Sequence, residues 1–148
     1  MRIQSLAKLI LLALVSVLTV VSAHAQSSGQ FVATIPFDFY AAGKTLPAGA
    51  YLVTRSTQTS AEGLVLRRTD GRGDVFVTTR VSQASQIQRQ SKLIFHRYGD
   101  EYFLSEIWTS GRIVGRELPI SRRERSLERQ LATQGASKQK VAILGNKR

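Results

Sequence analysis

His96 is the residue in this sequence best suited to acid–base or metal chemistry, because an imidazole titrates near neutral pH and binds metals through either ring nitrogen. The only other histidine, His24, lies in the N-terminal leader, and the chain has no cysteine. A zinc site therefore lacks its usual co-ligands, and one histidine does not specify a Ser-His-Asp set. We interpret His96 as a packed or surface side chain of a strand.

The carboxylates are the second group with chemical potential. Asp38 lies between Phe37 and Phe39, which would suit a catalytic carboxylate, but a strand carboxylate that faces solvent or pairs with an arginine explains it equally. Asp100, Glu101 and Glu106 are close in sequence, yet nothing places two of them across a cleft, as paired-carboxylate hydrolysis requires.

The established catalytic motifs are missing from the sequence. There is no phosphate-binding loop, no dinucleotide fingerprint, no nucleophile elbow and no H-E-x-x-H zinc motif. The sequence therefore predicts a non-catalytic protein without a cofactor or a metal.

The strongest charge feature is a basic C-terminal arm, residues 112–148, with ten basic and three acidic residues in a chain of net charge +11. Ser121 followed by Glu124 is a capping box, which predicts a helix over 122–134 that stops at Gly135. Such an arm favours an anionic surface or partner, although a solvated tail that aids solubility remains open. The candidate contact residues are Arg122, Arg123, Arg125, Arg129, Lys138 and Lys140.

Aromatic residues concentrate in residues 91–110, where two apolar runs flank Gly99-Asp100-Glu101. This pattern predicts a β-hairpin at the centre of the core. The hairpin is apolar on both faces, so both faces should be covered. A stacking platform for nucleic acid is an alternative, but the leader argues against that partner. A further alternative is an apolar-ligand cavity lined by Phe37, Phe39, Phe95, Phe103 and Trp108.

The N-terminus has the features of a secretory signal peptide. Arg2 and Lys8 precede an apolar run over residues 9–21, and Ala23-His24-Ala25 fits a cleavage site. The run is shorter than the about 20 apolar residues of a membrane span. We expect cleavage after residue 25 and an exported protein, periplasmic or extracellular, with no transmembrane span left in the mature chain.

Short runs of β-prone residues, separated by turn signals roughly every ten residues, follow the leader. They predict a mainly β protein: an antiparallel small barrel or sandwich of about seven short strands with one C-terminal helix. The expected organisation is a signal peptide at 1–25, a β domain at 26–120, a helix at 121–135 and a basic tail at 136–148. Within that tail, the apolar residues 141–144 suggest either a final edge strand or a frayed segment.

Three stretches together resemble a group of small exported bacterial proteins of uncharacterised function: residues 35–39 with 43–51, residues 93–99, and residues 115–124. The resemblance implies export and a single domain, and it implies no catalytic residues. The leading functional hypothesis is an exported, non-catalytic envelope or periplasmic protein that binds or supports structure through its basic arm. The alternative is a carrier for a small apolar ligand inside the β structure.

Overall fold

A computed structural model describes residues 29–56 and 63–147 of the chain. The expected signal peptide lies outside these residues. The elements in chain order are β1 (Phe31–Ile35), β2 (Phe39–Ala41), β3 (Lys44–Leu46), β4 (Gly49–Arg55), β5 (Gly63–Arg68), β6 (Asp74–Thr78), β7 (Arg80–Gln83), β8 (Ser91–Tyr98), β9 (Glu101–Trp108), β10 (Val114–Glu117), α1 (Arg122–Thr133) and β11 (Gln139–Lys147).

The strands form one curled, open sheet that makes a half-barrel. Their order across the sheet is β3-β2-β9-β8-β11-β1-β4-β5-β6, and β10 pairs with β9 and β7 off this path. Neighbouring strands run antiparallel except β2 and β9, which meet in a short parallel contact at Tyr40 and Phe103. The mainly β prediction with one helix is confirmed, but the described residues form eleven strands rather than about seven, and the sheet is open.

Two of the extra strands are short. β3 lies between the turn signals at Gly43 and Pro47, and the β-prone residues 75–82 divide into β6 and β7 at Thr79. The segment that we expected to be a basic tail contains β11, which lies between β8 and β1 in the sheet. Both an edge strand and a frayed segment are therefore wrong for residues 141–144.

A close approach explains how β11 fits against β1. A Cβ atom on Gly145 would come within 2.2 Å of the ring of Phe31, whose side chain is fully buried. Only glycine leaves room for that ring at this register, since a real Cβ contact of that length does not occur. The position of Gly145 thus helps to fix how the last strand joins the sheet.

The hairpin of β8 and β9 lies near the middle of the sheet and is buried on both faces, as expected. Its inner face supplies Leu93, Phe95, Leu104 and Ile107 to the core of the half-barrel. Side chains alternate along a strand, and a register shift opposite Ile94 and Phe95 interrupts the alternation in β9, so His96, Phe103 and Ser105 point to the outer face. On that face Glu124, the one buried residue of α1, hydrogen-bonds to His96.

Helix α1 begins as its sequence predicts. The Ser121 hydroxyl accepts a hydrogen bond from the Glu124 amide at 3.1 Å, and Gly135 takes the left-handed conformation after the last turn, with φ of 71°. The Glu124 carboxylate departs from the capping-box expectation, because it reaches the sheet instead of the start of its own helix. Leu127 and Leu131 are half-buried, as a helix with a thin apolar stripe requires.

Candidate functional site

His96 lies in a buried hydrogen-bond chain that the sequence did not predict. Its Nδ1 is 2.8 Å from Glu124 Oε1, and its Nε2 is 3.1 Å from Ser105 Oγ. The Tyr98 hydroxyl donates a longer hydrogen bond, 3.4 Å, to the same Glu124 oxygen. Burial, reinforced by the charges of Glu124 and Glu128, raises the pKa of Tyr98 well above its usual value.

The order serine, histidine, carboxylate is that of a hydrolytic triad. Here, however, Ser105, His96 and Glu124 are 7%, 7% and 4% exposed. Four grooves on the described part of the chain have neither Ser105 nor His96 in their linings, although Glu124 lines one of them. With its three members this deeply buried, the chain joins the helix to the sheet and satisfies buried polar groups.

Sequence reasoning missed this chain because its members lie far apart. Glu124 is 28 residues from His96, and the contact forms only when α1 folds back onto the hairpin. The sequence contained one signal for this contact. The capping box placed Glu124 in the first turn of α1, and the hairpin before it was predicted to be covered on both faces, so the helix could be the covering element. The interpretation of His96 as a packed strand residue agrees with its burial.

The other predicted carboxylates each have a structural partner. Asp38 is exposed and accepts a hydrogen bond from the Ala48 amide at 2.8 Å. Glu101 binds Arg123 through two hydrogen bonds of 2.7 and 2.9 Å. Asp100 lies 3.8 Å from Arg97 at the hairpin tip, so these acids do not form a paired site.

Glu106 is the most perturbed of the acids on this face. Burial acts to raise its pKa, but the hydrogen bonds from Lys140 (2.9 Å) and from the Trp108 indole (2.8 Å) outweigh burial, and the pKa lies below its usual value. A carboxylate that is this well supplied with donors stabilises the outer face of the sheet.

The predicted basic contact residues divide into two sets. Arg123, Lys138 and Lys140 are each engaged, with Glu101, Glu128 and Glu106 respectively. Arg122, Arg125 and Arg129 are exposed and have no carboxylate partner among the described residues. Their spacing of three and four residues places them on one face of α1. The structure thus brings together half of the predicted set as an exposed cationic stripe, in which Arg125 and Arg129 donate hydrogen bonds only to backbone carbonyls.

The predicted aromatic lining also divides, because its members face opposite sides of the sheet. Phe37, Phe39 and Phe95 meet edge to face inside the half-barrel, with ring centroids 5.2 and 5.4 Å apart. Phe103 lies on the outer face and stacks on Tyr40 at 4.8 Å. Trp108 packs against Gly115, where an added Cβ would come within 2.4 Å of the indole. The five residues therefore do not surround one space.

A large groove lies between the two ends of the open sheet, and we call it the edge groove. Its volume is about 710 Å³, within the roughly 300–1,000 Å³ of small-molecule sites. One wall comes from β2 and the turn after it, the other from β6, and the start of α1 closes one side. The lining comprises residues 40–43, 76–78, 103–104 and 118–124.

The edge groove combines apolar walls with basic residues at its rim. Phe76 is 44% exposed there, beside the buried side chains of Val77 and Leu118. Arg122 lines the groove itself, together with Arg123 and Glu124, which are bonded to Glu101 and His96 respectively. Arg80 and Arg125 line an adjoining hollow of about 390 Å³ that shares residues 78, 119 and 120 with the groove. The positive start of α1 adds to the same potential.

One wall of the edge groove is held in place by a stacked set of side chains. The guanidinium of Arg123 lies 5.0 Å from the centre of the Tyr40 ring, and Tyr40 in turn stacks on Phe103. Beside them, Ala42 has φ of 50°, a left-handed conformation that the two-residue turn between β2 and β3 requires and that costs a non-glycine residue energy. The stacked side chains are therefore what preforms this wall, and the backbone strain belongs to the hairpin turn.

Among residues 29–56 and 63–147, no set of three or more histidine, aspartate or glutamate side chains is arranged to hold a metal ion. No helix within the same residues has the length and apolar character to cross a membrane.

Comparison with protein-family models, with curated proteins and with solved structures finds no match to this chain. The function must therefore be argued from the edge groove and its charges alone.

Proposed function

We propose that the protein is an exported, non-catalytic binding protein, periplasmic or extracellular, that holds a single-chain amphiphile with an anionic head group in the edge groove. The observation that supports this proposal is the combination of a mainly apolar groove of about 710 Å³ with arginines at its rim that have no ion pair among the described residues. Apolar walls favour a hydrocarbon chain. Arg122 and Arg125, which have no carboxylate of their own, favour a carboxylate or phosphate head.

The proposal joins two earlier hypotheses and changes both. The basic arm contributes through Arg122 and Arg125 rather than through Lys138 and Lys140, which are engaged with Glu128 and Glu106. The apolar ligand lies between the sheet ends rather than inside the half-barrel, where Phe39 and Phe95 are fully buried against each other.

The test is calorimetric titration of the full mature chain with dodecanoate, kept below its micelle concentration, and with a neutral dodecanoyl glycerol. We expect one site for dodecanoate and weaker binding of the neutral ester. Arg122→Glu should weaken dodecanoate binding roughly tenfold, which corresponds to about 1.4 kcal/mol. Phe76→Ala should also weaken it, since this side chain is partly exposed and lines the groove.

Arg129→Glu is the matched control, because it makes the same charge change on the same helix but lines neither the groove nor the adjoining hollow. An affinity for dodecanoate that is unchanged in Arg129→Glu and reduced in Arg122→Glu supports a defined site. Equal losses of affinity in both variants, or no dodecanoate binding at all, would refute binding in the edge groove.

A second candidate is peripheral binding to an anionic surface. It is favoured by the exposed stripe of Arg122, Arg125 and Arg129 on one face of α1. Vesicles with anionic lipids should then retain the protein in a salt-dependent manner. In that case Arg129→Glu should weaken retention as much as Arg122→Glu does, and the neutral and anionic single-chain ligands should both fail to bind.

A further inference from the structure

A second, smaller pocket lies apart from the edge groove at one end of the half-barrel. Its volume is about 40 Å³, and β4, β5, β9 and β10 contribute to it. Because one water needs about 10–15 Å³, this space holds a few waters or one compact charged group, and it is too small for the body of a larger ligand. It shares no lining residue with the edge groove.

Three arginines, Arg55, Arg112 and Arg116, line this pocket, and no acidic residue does. None of the three has an ion pair or a side-chain hydrogen bond among the described residues. Other arginines of the sheet are satisfied: Arg67 binds Asp74 and Arg68 binds Asp70 within 3.0 Å. The pocket wall has no carboxylate that could offset the positive charge of these three side chains.

A buried donor on Arg116 also favours an anionic occupant of this pocket. The Nη1 of this arginine is buried and has no hydrogen-bond partner. A buried donor that is left unpaired costs roughly 1–3 kcal/mol, so it is rarely kept without an occupant that accepts the bond. β10 pairs Arg116 with Ile107 of β9 and with Val81 of β7, which fixes its backbone beside the pocket.

We propose that this pocket is an oxyanion site, in which a phosphate or a carboxylate group accepts hydrogen bonds from Arg55, Arg112 and Arg116. Arginine suits this role because its planar N–H groups match such oxygens in pairs. Val53, Leu64 and Ile107 form the apolar floor, which lowers the local dielectric and strengthens each bond. The shared chemistry is the compact, charged oxygen group, whether free or at the end of a larger molecule.

The test compares thermal unfolding of the full mature chain in phosphate, acetate and chloride at equal ionic strength. A ligand that binds only the folded state raises the midpoint, and at ten times its Kd the rise should be at least about 3 °C. Phosphate or acetate should show this rise over chloride. Arg116→Met should abolish it, and in chloride this variant should be as stable as the natural chain, since it removes an unpaired buried donor.

Two further variants keep the result interpretable. Arg112→Gln changes an exposed member of the pocket, so it should fold normally and bind phosphate at least about tenfold more weakly in a direct titration. Arg72→Gln removes one positive charge from an arginine that is 82% exposed outside the pocket, and it should leave the phosphate effect unchanged.

Equal midpoints in phosphate, acetate and chloride would overturn the oxyanion site, as would a phosphate effect that persists in Arg116→Met and Arg112→Gln. If phosphate alone gives the rise, the site binds phosphate groups, and if acetate alone does so, it binds carboxylates. The result is separate from the edge groove, because Arg122→Glu should retain the phosphate effect and Arg116→Met should retain dodecanoate binding.

Discussion

Replacing Glu124 with alanine tests how the helix is joined to the sheet. The carboxylate is 4% exposed and accepts a bond of 2.8 Å at His96 Nδ1 and a longer one from Tyr98. A hydrogen bond to a charged group contributes about 1.5–3 kcal/mol. The variant also leaves a buried donor on His96 without its acceptor. We expect Glu124→Ala to lower the free energy of unfolding by about 2–4 kcal/mol, a large share of a typical 5–15 kcal/mol.

The matched control is Glu128→Ala, one turn further along α1. Glu128 pairs with Lys138 at 3.0 Å, but both side chains are well exposed. Exposed ion pairs contribute at most about 1 kcal/mol, so this variant should be nearly neutral. Urea unfolding followed by Trp108 fluorescence and by far-ultraviolet circular dichroism gives both free energies, because Trp108 is the chain's only tryptophan.

A double-mutant cycle with His96→Ala isolates the bond itself. The two single losses should add up to more than the loss in the double variant, with a coupling of about 1–3 kcal/mol. If the free energy of unfolding of Glu124→Ala lies within about 0.5 kcal/mol of that of the natural chain, the buried hydrogen-bond chain does not hold the helix. The role given to His96 would then be wrong.

Three further outcomes follow from single contacts. Gly145→Ala should destabilise the fold by about 1–3 kcal/mol, measured by urea unfolding, because its Cβ would meet the buried Phe31 ring; an unchanged midpoint would contradict that fit. Ala42→Gly should leave the stability unchanged or raise it by up to about 1 kcal/mol, because φ of 50° strains alanine. A clearly lower midpoint of thermal unfolding would contradict this strain. Glu106 has a lowered pKa in the folded state, so its contribution is present above about pH 4.5 and is lost as pH falls through the lower folded value. Lys140→Met should therefore cost at most about 1 kcal/mol at pH 7, and the difference should shrink towards pH 3; a difference that grows on acidification would exclude this pairing.

Much of the fold was predictable because it depends on local signals. The hairpin of β8 and β9 follows from two apolar runs around Gly99, and α1 follows from Ser121, Glu124 and Gly135. The sequence analysis offered a strand at residues 141–144 only at the sheet edge. The interior position of β11 was not predicted, because residues 139–147 are largely exposed and include Lys140 and Lys147. Its membership depends on pairing with β1 and β8, which are distant in sequence.

The candidate sites were less predictable, because both depend on contacts between distant elements. Residue type identified Arg122 and Arg125 as basic candidates, but only the folded chain shows that Arg123, Lys138 and Lys140 are engaged in ion pairs. The edge groove arises because the sheet does not close, a property that strand patterns do not specify. A deletion of residues 121–148 does not test the basic arm alone, because it would also remove the interior strand β11.

The central claim is that an anionic amphiphile binds between the two ends of the open sheet. The most direct measurement is a titration of the uniformly ¹⁵N-labelled mature chain with dodecanoate, followed by amide chemical shifts. The account predicts saturable shifts that concentrate in residues 40–43, 76–78 and 118–124, which line the edge groove. Shifts confined to the exposed face of α1 as far as Arg129, or no saturable shifts at all, would contradict it.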